Sequence, residues 1–419
     1  MNKRLISNYE EKKGITLIAL VVTIVVLLIL AGVSINAIFS DSGILNRAQT
    51  AQNKMDQATE NDLQGINTLN DIIRNKGNNS TGSEEQQETQ TISDAVINKK
   101  MEKNTKLQDA YGNSITVPAG FKILPHNESS TTGIVTYTYS GNKISAVQDG
   151  IVIENETDGN QFVWVPVGTI KNKDNKTNTI TLGRYEDFTM TNGKVAEGQP
   201  VQSAENYKQE TLIRSTFKEV ATADSTVKNT IARDLETFIT TTLKNGGYYI
   251  ARYEASGTAE KVESKYDKGQ IGNLAQPAAA TASREMYGVV NDEKGQLLYA
   301  SDLVNSYAWD TAIIFIQTYS DNEKASSYAT QNKSTGLENT GINNDRYCNI
   351  WDMSGNLHEW TTESTTNPDY EDFPPCVERG GVYGLGSGSP EEDTSYRYYE
   401  SIDYFSFDGF RVLLYVSSN

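Results

Sequence analysis

The residues equipped for chemistry are few. The chain has 419 residues, with two histidines and two cysteines among them. In an oxidising compartment Cys348 and Cys376 could join as a disulfide; otherwise they are two separate thiols. His126 and His358 are far apart in sequence, and a lone histidine such as His358, beside Glu359, is more often structural than ligating. Asp and Glu are abundant, so chance pairings carry no weight, and no Ser-His-Asp or paired-carboxylate order emerges. What stands out is a stretch suited to contact. Residues 383–408 hold five Tyr, five Ser and three Gly, half of the segment. Tyrosine offers broad amphipathic area at low entropy cost, while Ser and Gly supply adaptable hydrogen bonding. The expected contact residues are Tyr383, Leu385, Tyr396, Tyr398, Tyr399, Asp403, Tyr404, Phe405 and Phe407.

The elements that must position this stretch are mostly short and β-rich. Strand and turn signals run through 105–170, at 114–121, 133–139 and 162–166. Helical spacing links Val227 to Leu243. Residues 257–300 and 320–345, rich in Gly, Ser, Asn, Thr and Lys, are expected to be loops. Trp309, Trp351 and Trp360 are large apolar groups with one donor each. Gly355, Gly380, Gly381 and Gly409 suit tight turns and close backbone approach. The Gly355-Asn356 step is expected to turn into a strand at Leu357-His358-Glu359-Trp360. Arg379 and Arg411 are expected to be hydrogen-bonded structural arginines.

Six segments follow one order: Phe162-Val163-Trp164-Val165-Pro166, Gly246-Gly247-Tyr248-Tyr249-Ile250-Ala251-Arg252-Tyr253-Glu254, Tyr307-Ala308-Trp309-Asp310, Ile350-Trp351-Asp352-Met353-Ser354-Gly355-Asn356-Leu357-His358-Glu359-Trp360, Glu378-Arg379-Gly380-Gly381 and Gly409-Phe410-Arg411-Val412. This order, over about 160–416, resembles the formylglycine-generating enzyme (sulfatase-modifying factor) family. The resemblance implies a C-type-lectin-like fold with much irregular structure. The family's copper-binding cysteine pair lies late in the domain, and here no cysteine stands between Arg379 and Arg411. The related iron enzymes use several histidines. The implied domain is therefore not an enzyme. The family's structural calcium would fall on Asn356 and Glu359, and no other cofactor is required. In retroelement-diversified proteins of this fold, variable residues lie near the C-terminus and end close to a Gly-Phe-Arg. The composition of 382–408 fits that pattern.

The N-terminus implies an anchor. Residues 15–33 form an apolar run whose only polar side chains are Thr16 and Thr23, long enough for one helical crossing. Lys3, Arg4, Lys12 and Lys13 precede it and favour a cytoplasmic N-terminus. The junction Lys13-Gly14-Ile15-Thr16-Leu17-Ile18 resembles the type IV prepilin processing site, with cleavage between Gly14 and Ile15 by a prepilin-type peptidase. Ala19 stands where that family has a glutamate, which bears on filament assembly more than on processing. Apolar residues from Ile44 to Ile73 continue a helical pattern. Residues 76–91 carry no apolar side chain and are expected to be a flexible linker.

The formal net charge of −17 disfavours nucleic acid as a partner. The expected fold class is α+β: a transmembrane and stalk helix followed by a C-type-lectin-like domain. The expected organisation is a leader at 1–14, the helix at 15–75, a linker at 76–92, an accessory β-rich segment at 93–160 and a ligand-binding domain at 161–419. The expected function is a membrane-anchored, pilin-like surface protein binding an extracellular protein or glycan. One alternative is an extracellular formylglycine-generating-type oxidase using Cys348 and Cys376. Another is a structural pilus or pseudopilus subunit.

Overall fold

The computed structural model describes residues 90–417, apart from 130–132, 142, 173–175, 186, 187, 189, 192, 193, 196–234, 321–324, 332–335, 365–374, 385–392 and 402–406. The leader, the Gly14–Ile15 junction, the apolar run and the stalk lie outside the described residues. Among the described residues no helix is long and apolar enough to cross a membrane.

In chain order the strands that build the site are β1 (Phe121–Ile123), β2 (Val152–Asn155), β3 (Gln161–Pro166), β4 (Gly247–Ala251), β5 (Val289–Asn291), β6 (Leu297–Leu303), β7 (Arg346–Tyr347), β8 (Ile350–Trp351), β9 (His358–Ser364), β10 (Pro375–Arg379), β11 (Arg397–Ser401), β12 (Asp408–Phe410) and β13 (Val412–Val416). The helices are α1 (Leu235–Asn245), α2 (Gln276–Glu285) and α3 (Ser306–Tyr319). The described residues are thus a mixed α and β fold, mostly strand with few helices.

The central sheet has seven strands in the order β5-β6-β13-β4-β3-β2-β1, every neighbour antiparallel. Its middle strands are apolar without alternation. All six residues of β3 and all five of β4 and of β13 are buried, so both faces of the sheet are covered. One cover is α3, whose Ala, Ile, Phe and Trp residues are buried nearly all round. Asn305 caps it, accepting the Ala308 N–H at 2.9 Å from an extended backbone. A second, four-stranded sheet runs β11-β10-β9-β12, with β9 and β12 parallel.

Two expectations about organisation need correction. Residues 93–160 are not an accessory piece. They supply β1 and β2, and β2 pairs with β3 through Ile153 opposite Phe162. Residues 88–419 form one compact unit. Nor is 257–300 a loop: it contains α2, β5 and most of β6. Pro277 opens α2, and Ala279, Ala280 and Ala282 are buried where it packs on β6 and β9. Conversely, much of 133–139 is irregular, with Val135 bridged to Asn127.

Candidate functional site

The site is built upward from two buried ionic groups. In the first, Arg411 follows β12 and grips Glu359 of β9 in a fork: Nη2 to Oε1 at 2.6 Å and Nε to Oε2 at 3.0 Å. Both side chains are fully buried. Arg411 also donates to the Ala251 and Trp351 carbonyls at 2.9 Å each, joining β9 to the central sheet and to β8. Glu254 accepts the Leu357 N–H and the Asn356 side-chain amide, each at 3.0 Å, and so fixes the turn ahead of β9. Asn356 takes that turn with a φ of 77°. At Gly380, φ is +83° and a Cβ would meet the Met353 carbonyl at 2.8 Å, so only glycine fits.

The electrostatics here are unusual for carboxylates. Burial raises Glu254 well above the usual range, with Asp352 and Glu359 adding to it. Burial likewise pushes Asp352 up to about 8, and Glu359 up to about 7 against the pull of Arg411. Asp345 is raised by burial as well.

The second group holds β10 and β11 to α3. Arg379 Nη2 lies 2.6 Å from Asp310 Oδ1. Arg397 bridges Asp310 Oδ2 at 2.7 Å and Glu363 Oε2 at 3.0 Å, while Arg184 reaches the other Glu363 oxygen. Burial works against Glu363's charge, but Arg397, Arg184 and Arg379 outweigh it and hold its carboxyl at about 2.

On this base the described contact residues gather around His358, at the start of β9. Tyr396 stacks on the His358 ring, centroids 5.2 Å apart. The His358 N–H donates to the Phe407 carbonyl at 3.1 Å. Tyr383 and Phe407 meet edge to face at 5.9 Å, and the Tyr383 N–H donates to the Asn356 carbonyl. Phe407 is 46% exposed, and Tyr383 and Tyr396 are half-buried. Tyr398 and Tyr399 lie on the edge strand β11, in register with Glu378 and Val377. Leu385, Asp403, Tyr404 and Phe405 lie outside the described residues.

His358 itself is no charged group. Burial lowers its pKa to about 4, and its Nδ1 sits 2.8 Å from the Gly380 carbonyl and therefore carries the proton. The sequence reading missed this ring as the platform for Tyr396. It also missed Leu337, 48% exposed, whose neighbour Glu338 is tied to Asn356 through N–H to Oδ1 at 3.0 Å. Only an exposed apolar residue inside a polar stretch could have signalled it.

Two site expectations are corrected. Asn356 and Glu359 do not offer a calcium site, because Arg411 occupies both Glu359 oxygens and Glu338 donates to the Asn356 oxygen. Among the described residues no group of three or more His, Cys, Asp or Glu is placed to hold a metal. Cys348 and Cys376 are not joined to one another. Cys348 occupies the β7–β8 turn, its Sγ 3.9 Å from the Gln148 carbonyl, whereas Cys376 is buried in β10.

No family model matches the chain, and no curated protein matches it. Among solved structures, Treponema denticola variable protein 1 is similar at 15% identity with a TM-score of 0.22, over 60% of this chain and 95% of that one. That score is too low to establish a shared fold.

Proposed function

We propose that this chain is a membrane-anchored, pilin-like surface protein whose C-type-lectin-like domain binds an extracellular protein or glycan without catalysis. The observation that carries the reading is the aromatic group of exposed Phe407 with half-buried Tyr383 and Tyr396, seated on backbone that the Arg411–Glu359 and Arg379–Asp310 pairs hold in place. Rigid aromatic area on a fixed support recognises partners at low ordering cost. Retroelement diversification of 382–408 belongs to the same reading and rests on composition and placement before Gly409-Phe410-Arg411. It requires a reverse transcriptase gene and a near-copy of these codons, differing at adenines, in the neighbouring DNA.

The binding test is a screen of the full chain against glycan and extracellular-protein arrays, repeated with Tyr383→Ala/Phe407→Ala. The double variant should lose array binding about tenfold or more, with its melting temperature within a few degrees of the parent. Retained binding, or collapse of the fold, would count against the aromatic face as the recognition site.

A further inference from the structure

A second recess shares no residue with the aromatic face. Its volume is about 390 Å³, and its wall carries both signs of charge, with Arg346 on one hand and Asp149 and Glu128 on the other. Arg346 opens β7. Among the described residues its guanidinium has only neutral groups within hydrogen-bond reach: Nη1 donates to Thr136 Oγ1 at 3.2 Å and to the Ile134 carbonyl at 3.4 Å. It lies over the Trp351 ring, 5.9 Å from the centroid. Burial and the nearby Arg252, which also donates to the Ile134 carbonyl, both work against its charge. Glu128, on the same recess wall, favours that charge.

The opposite charge is held just as firmly. Asp149 accepts from Thr138 Oγ1 at 3.0 Å and from the Thr138 N–H at 2.5 Å. Arg346 thus touches Thr136 and Asp149 touches Thr138, two residues further on, which places both charges along one short segment of the wall. The wall is preformed. Asn349 donates to the Thr136, Asp149 and Gly150 carbonyls at 3.0, 3.1 and 2.9 Å, and Cys348 and Asn349 turn the β7–β8 hairpin with φ of 45° and 61°.

A simple anion in this recess would face Asp149 and Glu128, and a simple cation would face Arg346. A molecule carrying both charges satisfies both walls. We propose that the recess binds a small zwitterion of the free α-amino acid class, its carboxylate on Arg346 and its ammonium on Asp149. This site stands independently of the aromatic recognition face.

Calorimetric titration of the full chain with each common L-amino acid tests it, with propionate (carboxylate alone) and propylamine (ammonium alone) as controls. At least one amino acid should bind with a Kd below about 1 mM, and neither control should. Arg346→Gln and Asp149→Asn should each weaken that binding about tenfold or more. If Arg346→Gln fails to fold, Asp149→Asn, which keeps an acceptor for Thr138, carries the comparison. No binding by any amino acid, equal binding by either control, or unchanged affinity in the folded variants would overturn the proposal.

Discussion

At the residue scale the fold depends on where charge has been buried and with what. Arg411 and Glu359 are the clearest pair, each out of water and each the other's main partner. Arg411→Ala would leave a carboxylate buried and uncompensated, at a cost of about 3–5 kcal/mol. Replacing both residues with methionine should cost less, since no charge is then stranded. Urea unfolding of the two variants measures the difference, and equal losses would mean that the pair is not the unit described. The unpaired carboxylates set a pH dependence with a definite sign. Asp352 titrates at about 8 in the folded chain against 3.8 for an ordinary aspartate. Between these values the folded form holds a proton that the unfolded chain has released, so stability falls as pH rises. Glu363 at about 2 and His358 at about 4 act oppositely: their contribution is complete above their ordinary values of 4.5 and 6.5 and is lost as pH falls. Asp352→Asn should therefore lose less stability than the parent between about pH 5.5 and pH 8.5. Urea midpoints at the two pH values check it; an equal drop in both proteins would contradict the assignment.

At the element scale, β11 is the strand that carries Tyr398 and Tyr399, and Arg397 is its rivet. Arg397 ties the start of β11 to Asp310 of α3 and Glu363 of β9. Without it, Arg379 still holds Asp310, so α3 keeps its buried partner while the edge strand loses its anchor. Arg397→Ala should speed amide exchange over 397–401 about tenfold or more, with α3 unchanged, as read by peptide-resolved hydrogen exchange. Uniform acceleration would make Arg397 a general stabiliser instead. The same elements show what the sequence could and could not disclose. β3 was legible as a strand signal at 162–166, and the Asn356 turn as a Gly-Asn step. The structural roles of Arg379 and Arg411 were legible as types, but their partners were not, since Asp310 and Glu359 reach them only through the tertiary fold. Helix α2 was hidden because Gln276-Pro277-Ala278-Ala279-Ala280-Thr281-Ala282 lacks large apolar residues. Its buried face is made of alanines, which fit close packing on β6 and β9 and give almost no periodic signal. The recess around Arg346 was invisible for a different reason: its wall comes from five separated segments, and no spacing in the chain records that meeting.

At the scale of the whole molecule, the central sheet draws on residues from 121 to 416, and its strand order does not follow the chain. The last strand, β13, lies between β6 and β4, with Tyr299 opposite Val416 on one side and Tyr249 opposite Leu414 on the other. The centre of the sheet therefore closes only when the C-terminal segment arrives. At the far edge, β2 covers β3, and the rings of Phe121 and Phe162 pack at 6.2 Å. A boundary at 160 would strip β1 and β2 from the sheet and expose Phe162 and Val163, both fully buried in the native fold. Each such side chain contributes about 1.5–3 kcal/mol by its burial, and a domain's whole margin is only about 5–15 kcal/mol. A fragment spanning 88–419 should show one cooperative thermal transition with retained near-ultraviolet circular dichroism. A fragment spanning 161–419 should show neither. Cooperative melting of the shorter fragment would restore 93–160 to the status of an accessory and place the structural core wholly within the C-terminal segment.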